Sequence, residues 1–518
     1  MRRLTRISPA IIWLTLVLVP VITQVACSNR AKEPTGPTLE ILYNAEEEST
    51  EKSSVAQLIQ AQCREHGISV KLDPASSTIY NDRIARGDFQ SALTLWYLDY
   101  NDPEGFLTDF YSKAGYRLSK YSSNDYDEAY LQGLLAPNEE SKIEHFKAAA
   151  QILSTDVPWI PLYSNDELFL LKSEAAGFSS NAYQYYDYRR VGLSNIRTAS
   201  DVEVQTLDPA QAYDLASKHV VTQSYEGLVT MDTSLHIVPA LASSWHFSKN
   251  NDTLTFVLRP HVLFHSAPIF TDSRQREMSA ADVKFSFERM LKSNSPYTYI
   301  FDYVKSVNEF KSGKAKDVSG FHVVDRSTFV IELSRPFPTM LPWLLAPAAY
   351  ILPKELPDKF DFSRGSVGTG PFVLKTFDGA VAQFDANSDY WLADSDGRHL
   401  PLAKFLSIRV IKDVNTLLTA FRRGDLDILN IPLALYNDVL TSDGKLKSEW
   451  TAYESREVTL NNLKFIAFNT QRGPWGTHIE LRRKVEAAID QRVIVEQLFR
   501  GKARAASSVI PQGVAGFN

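Results

Sequence analysis

Leu95-Trp96-Tyr97-Leu98-Asp99-Tyr100-Asn101-Asp102-Pro103 decides the reading of this chain. An aromatic strand end runs there into an acidic, turn-forming corner, so ring faces stand beside carboxylates, which suits the grip of a charged, extended ligand. Working backwards, Ser91 to Tyr97 reads as a strand, preceded by Gly87-Asp88 and a helix from Ile79 to Arg86. Earlier still, a strand (Leu39 to Asn44), a helix through Val55, Leu58, Ile59 and Gln62 with Gly67 as its stop, and a strand (Ile68 to Leu72) make a βαβ unit. Downstream, a long helix from Ser141 to Ser154 leads to Val157-Pro158-Trp159-Ile160-Pro161-Leu162-Tyr163, and the whole block reads as a β/α lobe.

The chain has 518 residues, 44% of them hydrophobic, enough for two to four lobes with cores of their own. Its 55 basic and 61 acidic side chains leave a formal charge of -6, which gives no reason to expect nucleic acid as a partner. Arg2, Arg3 and Arg6 precede an apolar run from Ile11 to Ile22, so residues 1–27 read as an export signal. The run falls short of the roughly 20 residues that a membrane-crossing helix needs. Val25-Ala26-Cys27 resembles the end of a bacterial lipobox, with Gln24 where an aliphatic residue is usual. Acylated Cys27 would tether the chain through a polar linker, residues 28–37, at the periplasmic or cell surface. Cys63, inside the helix Ser54 to His66, then has no disulfide partner and reads as a small core residue.

Past Leu193 the texture changes to strands and loops. Thr206-Leu207-Asp208-Pro209, Tyr225-Glu226-Gly227-Leu228, Pro239-Ala240-Leu241-Ala242 with Trp245, and a capping box at Ser279 opening a helix with Val283, Phe285, Phe287 and Leu291 on its apolar face follow in turn. Then come Gly368-Thr369-Gly370-Pro371-Phe372, Asn387 to Trp391, Arg422 to Ile428, and a helix from Glu480 to Phe499. Together these resemble the family 5 solute-binding proteins of ABC importers, in the family's own order from Thr206 to Ile428. The opening stretch resembles that family's W-x-x-D-Y-x-D-P motif, which belongs near the C-terminal end and here stands before residue 110. Residues 195–518 thus resemble the family's N-terminal two thirds and residues 38–190 its C-terminal third.

The resemblance implies a mixed α/β, two-lobed periplasmic-binding-protein-like fold of class II with an extra domain, circularly permuted. Near termini and an exposed cut make a permutation physically reasonable, with Tyr183 to Asn195 as the new connector. The alternative is a truncated or rearranged reading frame, since the Pro-rich loop and helix expected after Ile510 to Gly513 have no counterpart. The expected layout is one ligand-binding lobe from 38–163 with 467–518, a second from 164–230 with 366–466, and an accessory domain over 231–365.

By the resemblance Asp99 pairs with the ammonium of a peptide, and Trp96 and Tyr97 line the pocket beside it. Tyr225-Glu226-Gly227-Leu228 reads as an exposed strand edge able to hydrogen-bond an extended peptide, with Gly227 allowing close approach. The duller readings are a core Trp96, a solvated Glu226 and a turn-forming Asp102. Arg117, Lys120, Arg422 and Arg423 are all open as partners of a ligand carboxylate.

Gly368-Thr369-Gly370 lacks the lysine of a P-loop and reads as a tight turn opening a strand. His261 and His265 flank an extended stretch, where four residues span about 13 Å and cannot share one ion. No local motif supplies an activated nucleophile, paired carboxylates or a metal set. The expectation is therefore a receptor and not an enzyme: no cofactor, no metal, a short peptide ligand closed over by hinge motion, a membrane permease as partner, and a lipid-anchored monomer. A nickel chelate, an opine, a sugar, or a role as non-transporting sensor or scaffold are the alternatives.

Overall fold

The computed structural model describes residues 36–517 apart from 47–48, 98–100, 115–116, 137, 272–275 and 338. The expectations for the export signal, for Cys27 and for Asp99 therefore lie outside the described residues.

The largest sheet has eight strands. Val70–Ala75, Leu39–Asn44 and Ser91–Tyr97 pair in parallel, and Asn462–Phe468 then adds antiparallel to Ser91–Tyr97. Trp159–Leu171 pairs with Asn462–Phe468 along its first half, and with Ala503–Ala505, Glu454–Thr459 and Ile428–Asn430 further along. A strand from the late block thus sits between two from the early block. Asn462–Phe468 is buried at every position, as expected of a strand covered on both faces, and Phe465 stacks on Trp159 at 3.7 Å.

Local chemistry sets most of the elements. Ser77–Arg86 ends at Gly87, whose φ of 68° is left-handed. Asn138 caps Glu139–Asp156 by accepting from Ser141 N. The second strand runs Val70–Ala75 and not Ile68 to Leu72. It carries Pro74, tolerated because the strand is the edge of its sheet. The single helix expected from Glu480 to Phe499 is two, Ile479–Ala488 and Gln491–Phe499. Asp490 breaks it, because its carboxylate accepts from Arg492 N in an extended conformation and restarts the helix.

A four-stranded sheet, ordered Phe372–Phe377, Val381–Ala386, Phe405–Val410 and Asn195–Ser200, forms a second body. A third, antiparallel sheet of Phe321–Val323, Thr328–Glu332, Thr253–Leu258 and Ala242–Phe247 contacts the helix Ala280–Lys292. The capping box is present, Ser279 with Asp282, and Phe287 packs among Phe301, Phe321 and Phe329. Val229–Met231 and Ile237–Pro239 make a small hairpin. The fold is mixed α/β. Among the described residues no helix is long and apolar enough to cross a membrane.

Candidate functional site

Two cavities share a wall formed by Gln184, Leu215 and His219. The smaller, of ≈ 300 Å³, lies under the hairpin and is lined by the Tyr-rich connector, by Tyr225-Glu226-Gly227, and by Arg259, Tyr350 and Trp391. The larger, of ≈ 720 Å³, lies between sheets: Glu46, Glu51 and Asn165 to Glu167 face Ala199 to Glu203 and Lys412 across it.

Glu226 is the hub of the smaller cavity. Its carboxylate accepts from Tyr390 Oη at 2.7 Å, Trp391 Nε1 at 3.0 Å and Thr369 Oγ1 at 2.9 Å. Burial pushes its pKa up, while these donors and nearby Arg189 pull the other way. Arg189 is itself clamped by Asp187 and reaches Tyr390 Oη at 3.2 Å. Arg259 lies 4.3 Å over the Trp391 ring, its Nε donating to Ala240 O at 3.1 Å, with no ion pair to a carboxylate among the described residues.

The structure brings some of the expected residues together and sends others elsewhere. Tyr225 to Leu228 is not a strand edge but a buried, irregular segment ahead of Val229–Met231. Three of its carbonyls are taken: Glu226 O by Ile351 N, Gly227 O by Leu241 N, Leu228 O by Ala242 N. Main-chain pairing with a ligand through those carbonyls is therefore replaced by pairing within the chain. A Cβ on Gly227 would stand 3.2 Å from Val229 O and 3.3 Å from Tyr350, so the close approach is to the protein's own backbone. Trp96 packs against Trp159 at 5.8 Å and donates to Gly105 O at 3.0 Å. Tyr97 Oη donates to Tyr213 O at 3.0 Å, and Lys218, a lining residue of the smaller cavity, sits 4.8 Å over its ring. The strand end at Tyr97 thus meets the late block beside that cavity. Asp102 is buried, accepts from Glu104 N and pairs with Lys142 Nζ at 2.6 Å.

Arg117 and Arg422 are engaged away from both cavities, with Tyr121 O and with Glu449 respectively, and Lys120 and Arg423 line neither. The cations that do line them are Arg189, Lys218, Arg259 and Lys412. The Asn387 to Trp391 motif supplies two of the three donors to Glu226. Gly368-Thr369-Gly370 is a turn leading into Phe372–Phe377: a Cβ on Gly368 would stand 2.0 Å from Ser224 O. His265 fastens it, with Nδ1 2.9 Å from Ser366 Oγ and Nε2 2.9 Å from Gly370 O, while His261 is exposed. Cys63 is buried, and burial pushes its thiol up to about 12. Among the described residues no cluster of three or more His, Cys, Asp or Glu side chains could hold a metal ion.

The family model described as bacterial extracellular solute-binding proteins, family 5 Middle, matches residues 28–117 and 236–518, and the chain belongs to this family. It is 29% identical over 318 residues to heme-binding protein A of Haemophilus influenzae, covering 59% of this chain and 54% of that one. It is 31% identical over 288 residues to the probable di/tripeptide-binding protein 5 of Pseudomonas aeruginosa, covering 53% of this chain and 51% of that one. The chain thus spans about half the length of the curated relatives it matches. Among solved structures it is similar to the Escherichia coli murein tripeptide binding protein MppA, at 24% identity, with a TM-score of 0.42 and 48% of each chain covered.

Proposed function

We propose that this chain is an extracytoplasmic solute-binding receptor of an ABC importer, that it holds a short peptide between two lobes closing by hinge motion, and that it hands the ligand to a membrane permease. The observation that carries this reading is the ≈ 720 Å³ cavity walled by the large sheet on one side and the four-stranded sheet on the other. Family membership and relatives described as binding di/tripeptides support it. In this reading residues 38–163 with 467–518 and residues 164–230 with 366–466 are the lobes, 231–365 is the accessory domain, and the swapped block order is a circular permutation. The sharing of one sheet by strands of both blocks supports the last point. Asp99 takes the ligand's ammonium, Arg259 of the adjoining smaller cavity its carboxylate, and acylated Cys27 tethers a monomer to the membrane.

The test is a thermal-shift screen of the full chain against mixed di- and tripeptides, with hemin and a nickel chelate as separate arms. Ligand at 100 times its Kd adds about 2.7 kcal/mol through linkage and raises the melting temperature. A shift with hemin or the chelate and none with any peptide would overturn the peptide assignment.

A further inference from the structure

Glu167 stands out in the larger cavity because it is buried and nothing that holds it carries positive charge. It lies on Trp159–Leu171 and is 5% exposed. Its Oε1 accepts from Gln184 Nε2 at 2.9 Å, from Asn430 Nδ2 at 2.8 Å and from the Tyr186 hydroxyl. Its Oε2 has no hydrogen-bond partner. The Ser180 hydroxyl is close enough to favour the charged form, and it too is neutral.

Four of the other carboxylates of that cavity are matched differently. Glu51 has Lys464 Nζ at 3.2 Å and the Tyr163 hydroxyl at 2.8 Å. Asp166 has Arg504 Nη2 at 3.5 Å, Glu203 has Lys412, and Glu46 accepts from Ser77 N. His219, stacked on Tyr186 at 3.7 Å, supplies no charge, since burial pushes its pKa down to about 3. A carboxyl buried among neutral donors is held ready for a cation: burial pushes Glu167 up to about 7, and an arriving positive charge would reverse that. The three donors fix its orientation in advance and leave one oxygen uncommitted.

Resting on the peptide-receptor reading, we propose that Glu167 is a subsite for a cationic side chain, the ammonium of lysine or the guanidinium of arginine, in the bound peptide. This role is separate from that of Asp99, which concerns the peptide's own N-terminus. The unpartnered oxygen and the excess of carboxylates on the cavity wall both favour a cation over an anion or an apolar group.

Isothermal titration calorimetry of the full chain with Ala-Lys-Ala and with Ala-norleucine-Ala tests it, because the two peptides differ in charge more than in shape. The lysine peptide should bind at least about tenfold tighter at about pH 7 and release protons from the protein, measured in two buffers of different ionisation enthalpy. In Glu167→Gln both the preference and the proton release should vanish, with the norleucine peptide bound within about twofold of the parent. The parent at about pH 5.5, where Glu167 is protonated, should show a reduced preference without any substitution. Equal affinity for the two peptides, or a preference that survives in Glu167→Gln, overturns the subsite alone. Failure of both peptides to bind the parent sinks the receptor reading, and the subsite with it.

Discussion

Replacing Asp427 with asparagine should loosen the joint between the large sheet and the four-stranded one. Asp427 is buried directly before Ile428–Asn430, and its carboxylate accepts four hydrogen bonds. Lys172 Nζ and Arg197 Nη2 reach Oδ1, each at 2.7 Å, and Arg197 Nε at 3.0 Å and N at 2.9 Å reach Oδ2. Lys172 follows the long strand of the first sheet, and Arg197 lies on the edge strand of the second. An amide of the same shape keeps one acceptor and turns a donor towards the other two contacts. Two hydrogen bonds to a charged acceptor are lost, at about 1.5–3 kcal/mol each. Because Lys172 and Arg197 are partly exposed and regain water, the lower end applies, and Asp427→Asn should cost about 3 kcal/mol.

The dependence on pH follows from the sign of the shift at Asp427. Burial alone would raise its pKa, but the hydrogen bonds and charges of Arg197 and Lys172 outweigh burial and hold it below the usual carboxylate range. Its contribution is therefore complete above the unfolded value of about 3.9 and is lost as pH falls through the lower folded value. Urea unfolding followed by fluorescence of the chain's eight tryptophans measures the gap between parent and variant. A gap under about 1 kcal/mol at neutral pH, or one that stays undiminished at about pH 3, would overturn this role for Asp427.

Three further outcomes are expected. Arg259→Ala should weaken peptides with a free carboxylate by about tenfold relative to their C-terminal amides, and calorimetry that shows equal losses would remove Arg259 from that role. Asp99→Asn should weaken free peptides much more than N-acetylated ones, measured in the same way. His219 and His265 are kept neutral by burial, at about 3 and about 4, so the unfolded chain takes up protons first as pH falls below about 6.5. Stability should drop by up to about 1.4 kcal/mol per pH unit for each ring between about pH 6.5 and 4.5, and His265→Gln should flatten the urea-midpoint profile over that range.

The elements that were legible in the chain are those whose cause is local. Thr253–Leu258 alternates as a strand, Ser279 and Asp282 close a capping box three residues apart, and Gly87 ends its helix in a conformation that glycine adopts without strain. The break at Asp490 was missed because apolar periodicity continues through it on both sides. There a single side chain-to-backbone bond overrides the pattern.

The mixed α/β class, the succession of motifs that marks the family, and the turn at Gly368 to Pro371 can all be read along the chain, since each depends on residues within a few positions of one another. Packing in three dimensions makes Glu226 a buried hub and not an exposed edge, because its donors Tyr390 and Trp391 lie 164 and 165 residues away along the chain. It also set apart Glu167, whose partner Asn430 is 263 residues distant. Whether a carboxyl is solvated, paired or held alone depends on what packing brings against it, and that neighbourhood is assembled by sheets whose strands come from both ends of the chain.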